Sequence, residues 1–295
     1  MIIAVLREDI SMTEFLAALS DPHIAFLRYA FMVGMLASVA FGIIGSYVVA
    51  RRITYIAGAI SHCVLGGIGL GLFIQLKIGL AWFDPLYGAI AAALIAAVII
   101  GLVSIFANQR EDTVIGALWA VGMAAGLLFI AKTPGYVEPM SYLFGNILLV
   151  SENDLWLVGG LDLLVIGVSC FFYNKLLAVC FDGEYARLRG VSAEIYYVVL
   201  LCLTALTVVL LVRVVGIVLV VALLTLPAAI ANYFARALWQ MMILAGGLCM
   251  VFIAAGLAVS YSYDLPSGPT IIMVAGAVYL IIALGSRLRF GRAAV

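Results

Sequence analysis

A single histidine inside a long apolar segment is the side chain best placed to do chemistry in this sequence. His62 lies between the basic pair Arg51-Arg52 and the glycine-rich stretch that ends at Gly71. An ionisable group is costly in hydrocarbon, so it is a functional candidate by default. Imidazole nitrogen is a ligand for divalent transition-metal ions. We therefore predict that His62 lines a path for a cation.

Glycines flank this histidine at helical spacing. Gly58 and Gly66 stand four residues before and after His62, so a helix places all three on one face. This spacing predicts open volume above and below the imidazole. The alternative is that the glycines serve close helix packing, with Gly67 and Gly71 as a further small pair, and that His62 only hydrogen-bonds a neighbouring helix.

Acidic residues near the ends of apolar segments are the remaining candidate ligands. Asp84 and Asp264 lie shortly before prolines, and we expect each to cap a helix start. Asp264 lies in a polar turn and is also a candidate cation ligand, as is Glu138. Nitrogen and oxygen donors suit a divalent cation, and a transport site must bind weakly enough to release its ion.

The composition indicates that these residues are held by membrane-spanning helices. Of 295 residues, 67% are hydrophobic and 10% are charged, whereas soluble domains are about 45–50% apolar and about 25% charged. A formal net charge of zero argues against a nucleic-acid partner, which basic proteins bind by counterion release. The five cysteines form no C-x-x-C pair, which excludes a zinc-finger pattern. No basic head precedes the first apolar residues, so we expect no cleaved signal.

We predict an all-α, polytopic membrane protein with about nine transmembrane helices in a lipid bilayer. An amino terminus outside and a carboxyl terminus in the cytoplasm place ten of the 15 basic residues in cytoplasmic segments, as the positive-inside rule favours. Apolar runs long enough to cross a hydrocarbon core of about 30 Å lie at 25–50, 54–76, 86–107, 114–132, 154–174, 195–213, 216–234, 239–260 and 268–286.

The whole chain, 1–295, is predicted to form one transmembrane domain. Residues 1–23 are predicted to be an interfacial segment. Within it, Ile10, Phe15, Leu16 and Leu19 of the stretch 10–20 lie near one helical face, over too short a length to span. The stretch 134–153 is interrupted by two prolines and is predicted to be a short re-entrant or surface helix. No cytoplasmic segment is long enough to fold alone, so any energy source belongs to a partner or an ion gradient.

The cytoplasmic segment 181–190 carries the signals of a short helix. Asp182 is a predicted N-cap, Glu184 lies in the first turn, and Gly190 is a predicted stop. The helix is either a solvated connector or a knob that docks into a partner subunit.

Five motifs in order resemble the permease subunits of bacterial ABC importers for zinc, manganese and iron. The resemblance covers about residues 28–286. Each motif is weak alone, and the ordered set is specific. The motifs are Arg51 through Gly71, Leu143 through Leu148, Phe181 through Ala186, Val215 through Ala229, and Ser260 through Thr270.

The resemblance implies a permease of the vitamin B12 importer type in the bacterial inner membrane. Its expected partners are a second copy of the chain, two cytoplasmic ATPase subunits and an extracytoplasmic metal-binding protein. The permease is then not catalytic: ATP is hydrolysed on the partner, and the metal ion is cargo rather than a permanent cofactor. The segment 181–190 resembles the helix that couples to the ATPase, through Asp182, Glu184, Ala186, Leu188 and Gly190.

The chain departs from the family pattern beside its histidine. Many members have an Asp four residues before the histidine, where this chain has Gly58, and a Pro is common where it has Gly66. His62 then needs ligands from other helices, the dimer mate or water. Asp264 matches an aspartate in the last outer turn of the family.

Other classes of transporter remain as alternatives. A secondary cation transporter would move protons through His62 and Asp162, although the inverted repeats common in such carriers are not evident. An ABC permease for a metal chelate such as a siderophore or cobalamin would need a wider cavity. An intramembrane hydrolase lacks its nucleophile and base in this sequence.

Overall fold

The computed structural model describes residues 25–106, 111–134, 139–145, 147 and 150–290. Nine helices within these ranges are long and apolar enough to span a membrane, and the described backbone contains no strand. The predicted all-α, nine-span fold is therefore confirmed. The predicted segment 1–23 and Glu138 lie outside the described residues.

The nine spans are accompanied by three short helices. A π-helical turn, Ile74–Ile78, extends the second helix. In chain order the helices are α1 (Ala25–Ala50), α2 (Thr54–Phe73), α3 (Pro85–Phe106), α4 (Glu111–Lys132), α5 (Pro139–Phe144), α6 (Glu152–Phe171), α7 (Tyr173–Phe181), α8 (Gly183–Leu188), α9 (Ala193–Val215), α10 (Ile217–Phe234), α11 (Leu238–Ser262) and α12 (Ser267–Phe290). We call the end of the bundle that is predicted to be cytoplasmic the inner end, and the opposite end the outer end.

The predicted span 154–174 is too long, because the helix breaks at Phe172. This residue has φ −107° and ψ 15°, and its carbonyl accepts the N–H groups of Lys175 and Leu176, which starts a new helix. That helix, α7, buries one apolar side through Leu176 and Val179, at the spacing of one helical face. The sequence prediction therefore missed α7 as a separate element.

Glycine contacts hold α2 tightly against α3. A Cβ atom added to Gly67 would collide with the carbonyl oxygen of Gly88, and one added to Gly71 would lie 2.6 Å from the Cα atom of Pro85. Only glycine allows two helix backbones to approach this closely. The predicted small-residue packing of Gly67 and Gly71 is thus confirmed.

At the outer end, α5 is held against the junction between α9 and α10. Gly145 and Gly216 have φ angles of 63° and 84°, which favour glycine over residues with a Cβ atom. A Cβ atom on either residue would collide with the backbone of the other. Two of the sequence motifs therefore meet backbone to backbone at this crossing.

Candidate functional site

His62 is half-buried on α2 and stacks on Trp119 of α4. The ring centroids are 4.6 Å apart and the ring planes differ by 19°. The Nδ1 atom of His62 is buried and has no hydrogen-bond partner among the described residues. A hydrogen bond to a neighbouring helix, the alternative role considered for this histidine, is therefore not present at Nδ1.

The prediction of open volume on both sides of the imidazole is wrong at Gly66. A Cβ atom there would lie 2.8 Å from the carbonyl oxygen of Gly122, so α4 fills this space. At Gly58 the Trp119 ring lies 3.2 Å from the position of a Cβ atom, although one side of Gly58 still lines a cavity. Close packing against α4 therefore explains why residue 66 is a glycine. Gly58 packs against Trp119 on one side and leaves space for the cavity on the other.

The cavity beside Gly58 lies between α2, α4, α10 and α12 and has a volume of about 480 Å³. Its wall includes Trp119, the ring on which His62 stacks, and four hydroxyl-bearing residues, Thr54, Tyr55, Thr225 and Tyr279. The Thr225 hydroxyl donates to the Val221 carbonyl oxygen at 2.8 Å, and its own oxygen can still accept. Thr225 lies in the motif Val215 through Ala229, but no motif contains Trp119 or Tyr279. Only helix packing brings the three residues together.

Asp264 occupies a separate place at the outer end. It has a left-handed backbone with φ 50° and lines a cavity of about 230 Å³ with Ser260 and Phe26. The Ser260 hydroxyl donates to the Leu265 carbonyl oxygen at 2.6 Å, which closes the turn. No described hydrogen bond joins the Asp264 carboxylate to α12, so its predicted capping role is not observed. At Asp84 the predicted cap is confirmed, since its Oδ1 atom accepts from the Leu86 N–H at 2.7 Å.

The structure does not bring His62 and Asp264 together. Tyr279 lines the cavity near His62. It lies twelve residues after Ser267, where α12 begins, which corresponds to a rise of about 18 Å along the helix. Asp264 lies beyond that helix start, so the two candidate ligands are at different depths. Within the described residues, no group of three His, Cys, Asp or Glu side chains could hold a metal ion.

At the inner end, α8 has the cap that the sequence predicts. The Asp182 Oδ1 atom accepts from the Tyr185 N–H at 2.9 Å, and Gly190 has φ 77° after the helix. Glu184 lies in the first turn. Ala186 is fully buried, whereas the Leu188 side chain is 87% exposed.

An ion pair connects α8 to the next transmembrane helix. The Arg187 Nη2 atom lies 2.6 Å from the Glu194 Oε1 atom in the first turn of α9. A short capped helix therefore presents an exposed leucine while it is tethered to the bundle on its other side.

A profile of the ABC 3 transport family matches residues 23–286. The chain belongs to the ABC 3 transport family. This membership confirms the resemblance that the five motifs indicate, and it agrees with the nine apolar helices of a multi-pass membrane protein.

Three similar proteins show how far the family likeness extends. A probable metal transport system membrane protein of Chlamydia pneumoniae is 42% identical over 250 residues, which is 84% of this chain and 85% of that protein. The manganese import system permease protein ScaB of Streptococcus parasanguinis is 32% identical over 269 residues, or 91% and 93% of the two chains. The solved structure of PsaBC from Streptococcus pneumoniae in complex with Fab matches with a TM-score of 0.80 and 30% identity, over 92% of this chain and 95% of that one.

Proposed function

We propose that this chain is the membrane-spanning permease subunit of an ATP-driven importer of a divalent transition-metal ion. The observation that carries the proposal is the 32% identity to a manganese import permease over 91% of this chain. Manganese is therefore the first candidate cargo, with zinc and iron next, since imidazole binds all three.

The environment of His62 supports a role on the ion's route. Its Nδ1 atom has no partner among the described residues, and the Trp119 ring on which it stacks lines the cavity of about 480 Å³. One chain supplies one such imidazole, so a second copy would bring a second. Two imidazoles with water or hydroxyl oxygens make a weak site, which suits an ion that must leave as well as enter.

Helix α8 is proposed to receive the motion of a separate ATPase subunit. Leu188 is the exposed contact, and the buried Ala186 anchors the helix. Asp182 and Gly190 set its two ends, with Glu184 adding charge to its first turn. When two such ATPases close on a pair of permeases, the ion pair between Arg187 and Glu194 would pass the displacement to α9.

The ion is proposed to arrive from an extracytoplasmic binding protein at the outer end. Asp264 and Glu138 are the acidic candidates for first contact there. Asp264 lines a small cavity at this end, at a different depth from His62. It would act at the mouth rather than in a shared ligand set with the histidine.

The test is uptake of radioactive manganese by proteoliposomes that contain the permease, its ATPase and its binding protein. We expect uptake to need ATP, and His62→Ala to lower the initial rate about tenfold or more, as loss of a ligand does. Leu188→Asp should abolish both uptake and co-purification of the ATPase. Leu80→Asp, at an exposed leucine of the outer end that lines none of the cavities described above, is the control and should retain both.

A proton gradient that drives uptake without any ATPase would overturn the proposal in favour of a secondary transporter. That alternative relied on His62 acting together with Asp162. The carboxylate of Asp162 is buried where α6 packs against α1, whereas His62 packs against α4. The two groups therefore pack against different helices, and no observation favours the alternative.

A further inference from the structure

Three cavities join end to end along the side of the bundle formed by α1, α6, α7 and α11. The first, of about 650 Å³, lies between α1, α6 and α11. It shares Tyr173 and Trp239 with a second cavity of about 610 Å³. The second shares Phe181 and Arg236 with a third, of about 490 Å³, at the inner end. We call these three adjoining cavities the α11 groove.

The first part of the α11 groove is apolar and has the depth of one lipid leaflet. Trp239 and Met250 both line it and stand eleven residues apart on α11, a rise of about 16 Å. A hydrocarbon core of about 30 Å gives each leaflet about that depth. Its inner limit is marked by Tyr173 and Trp239, the two aromatic types that collect at membrane interfaces.

The third part of the α11 groove is strongly basic. Arg51, Arg52 and Arg236 line it together with the amide of Asn232, and its lining contains no acidic residue. Among the described side chains, no carboxylate lies within ion-pair distance of these guanidinium groups. The Arg51 guanidinium lies over the Tyr197 ring, 5.4 Å from its centroid, which restrains its position.

One acidic residue, Asp182, lines the second cavity of the groove. It does so together with Arg236, but its Oδ1 atom accepts the Tyr185 N–H as the cap of α8. The one negative charge of Asp182 stands against the three guanidinium groups of Arg51, Arg52 and Arg236, so the basic part of the groove keeps a net positive charge that an anion can neutralise.

We propose that the α11 groove binds an anionic phospholipid of the inner leaflet. Its phosphate lies among Arg51, Arg52 and Arg236, and one acyl chain lies along α11 as far as Met250. Basic pockets at the cytoplasmic ends of transmembrane helices suit such headgroups. The apolar groove accounts for a lipid rather than a free phosphate, and the proposal does not depend on the transported ion. Because Phe181 lines the basic part, the lipid headgroup lies at the base of α8.

Native mass spectrometry of the purified full chain, titrated with defined lipids, tests the headgroup. We expect phosphatidylglycerol to bind more tightly than phosphatidylcholine of the same chain length. Arg236→Gln should weaken phosphatidylglycerol binding about fivefold and Arg52→Gln/Arg236→Gln about 25-fold, since each basic residue near an anionic surface contributes about fivefold. Arg28→Gln, at an exposed arginine of the outer end, is the matched control and should change nothing.

A second pair of variants tests the acyl chain. Gly247 lines the apolar part, and a Cβ atom there meets nothing within 4 Å, so Gly247→Leu should fold and obstruct the groove. We expect it to weaken binding of both lipids. Gly167→Leu is the control, because Gly167 is equally unobstructed on α6 but is not part of the groove lining.

Three results would overturn the proposal. The first is equal affinity for phosphatidylglycerol and phosphatidylcholine. The second is binding of inorganic phosphate as tight as that of phosphatidylglycerol, which would assign the basic part to a free anion. The third is unchanged lipid binding in the arginine variants together with loss of the ATPase subunit, which would assign it to acidic residues of that protein.

Discussion

The indole of Trp119 lies almost parallel to the imidazole of His62, with 4.6 Å between the ring centroids. The stack joins α4 to α2 and holds the imidazole in one orientation. Because the Nδ1 atom has no partner among the described residues, the ring is restrained by its stack on the indole and not by a hydrogen bond at Nδ1. Any displacement of α4 along α2 therefore changes the surroundings of the candidate ligand.

Replacing Trp119 tests this restraint. Trp119→Ala should lower the free energy of unfolding by about 0.5–1.5 kcal/mol for the lost ring pair, with a further loss from packing. It should also lower metal uptake more than Trp119→Phe does. Thermal melting in detergent and initial uptake rates are the measurements. Trp156→Ala, at a 78% exposed tryptophan of α6, is the control. Equal uptake by Trp119→Ala and Trp119→Phe would contradict a positioning role for the ring.

Gly66 and Gly116 separate helix packing from helix propensity. In Gly66→Ala the new methyl group would approach the Gly122 carbonyl oxygen to 2.8 Å, so we expect a loss of stability of about 1–3 kcal/mol. A Cβ atom at Gly116 meets nothing within 4 Å, and Gly116→Ala should be neutral or stabilise by up to about 1 kcal/mol. Thermal melting of the two variants measures both stability changes. A stable Gly66→Ala protein would show that α2 and α4 separate easily.

The elements that the sequence predicts well depend on local chemistry. Nine spans follow from apolar length alone, and their bounds agree with the structure to within a few residues. The cap of α8 follows from Asp182, whose carboxylate accepts a hydrogen bond from the Tyr185 N–H in the first turn of that helix. These features require no knowledge of which helices are neighbours.

The surroundings of His62 could not be predicted from the sequence, because they depend on which helices are neighbours. The helical spacing of Gly58 and Gly66 is compatible with open space and with a packed helix, and only the position of α4 decides between them. Trp119 is one apolar residue in an apolar segment and carries no local signal of its stack. The helix break at Phe172 also has no signal in the sequence, because residues 154–174 are apolar enough to continue as one helix.

Asp154 stabilises the outer start of α6 by two kinds of contact, capping hydrogen bonds and an ion pair. Its Oδ2 atom accepts from the Ser151 backbone N–H at 2.9 Å and from the Ser151 hydroxyl at 2.7 Å, while Oδ1 lies 3.6 Å from the Arg213 Nε atom. Asp154→Ala should cost about 1–2 kcal/mol, as loss of a capping contact does. Arg213→Ala removes only the half-exposed ion pair and should cost less than about 1 kcal/mol. Equal losses in thermal melting would assign the stabilisation to the ion pair instead.

Cysteine labelling can show which side of the membrane α8 faces. The basic residues predict that the inner end is cytoplasmic. Glu184→Cys should then react with a membrane-impermeant maleimide only after the membrane is opened. Asp84→Cys, at the outer end, should react in intact spheroplasts. Native Cys180 adds little background, because burial raises the pKa of its thiol to about 12 and the thiolate is the reactive form. The parent protein, which carries neither substitution, measures what remains. Labelling of Glu184→Cys in intact spheroplasts would place α8 outside, where no ATPase could reach it.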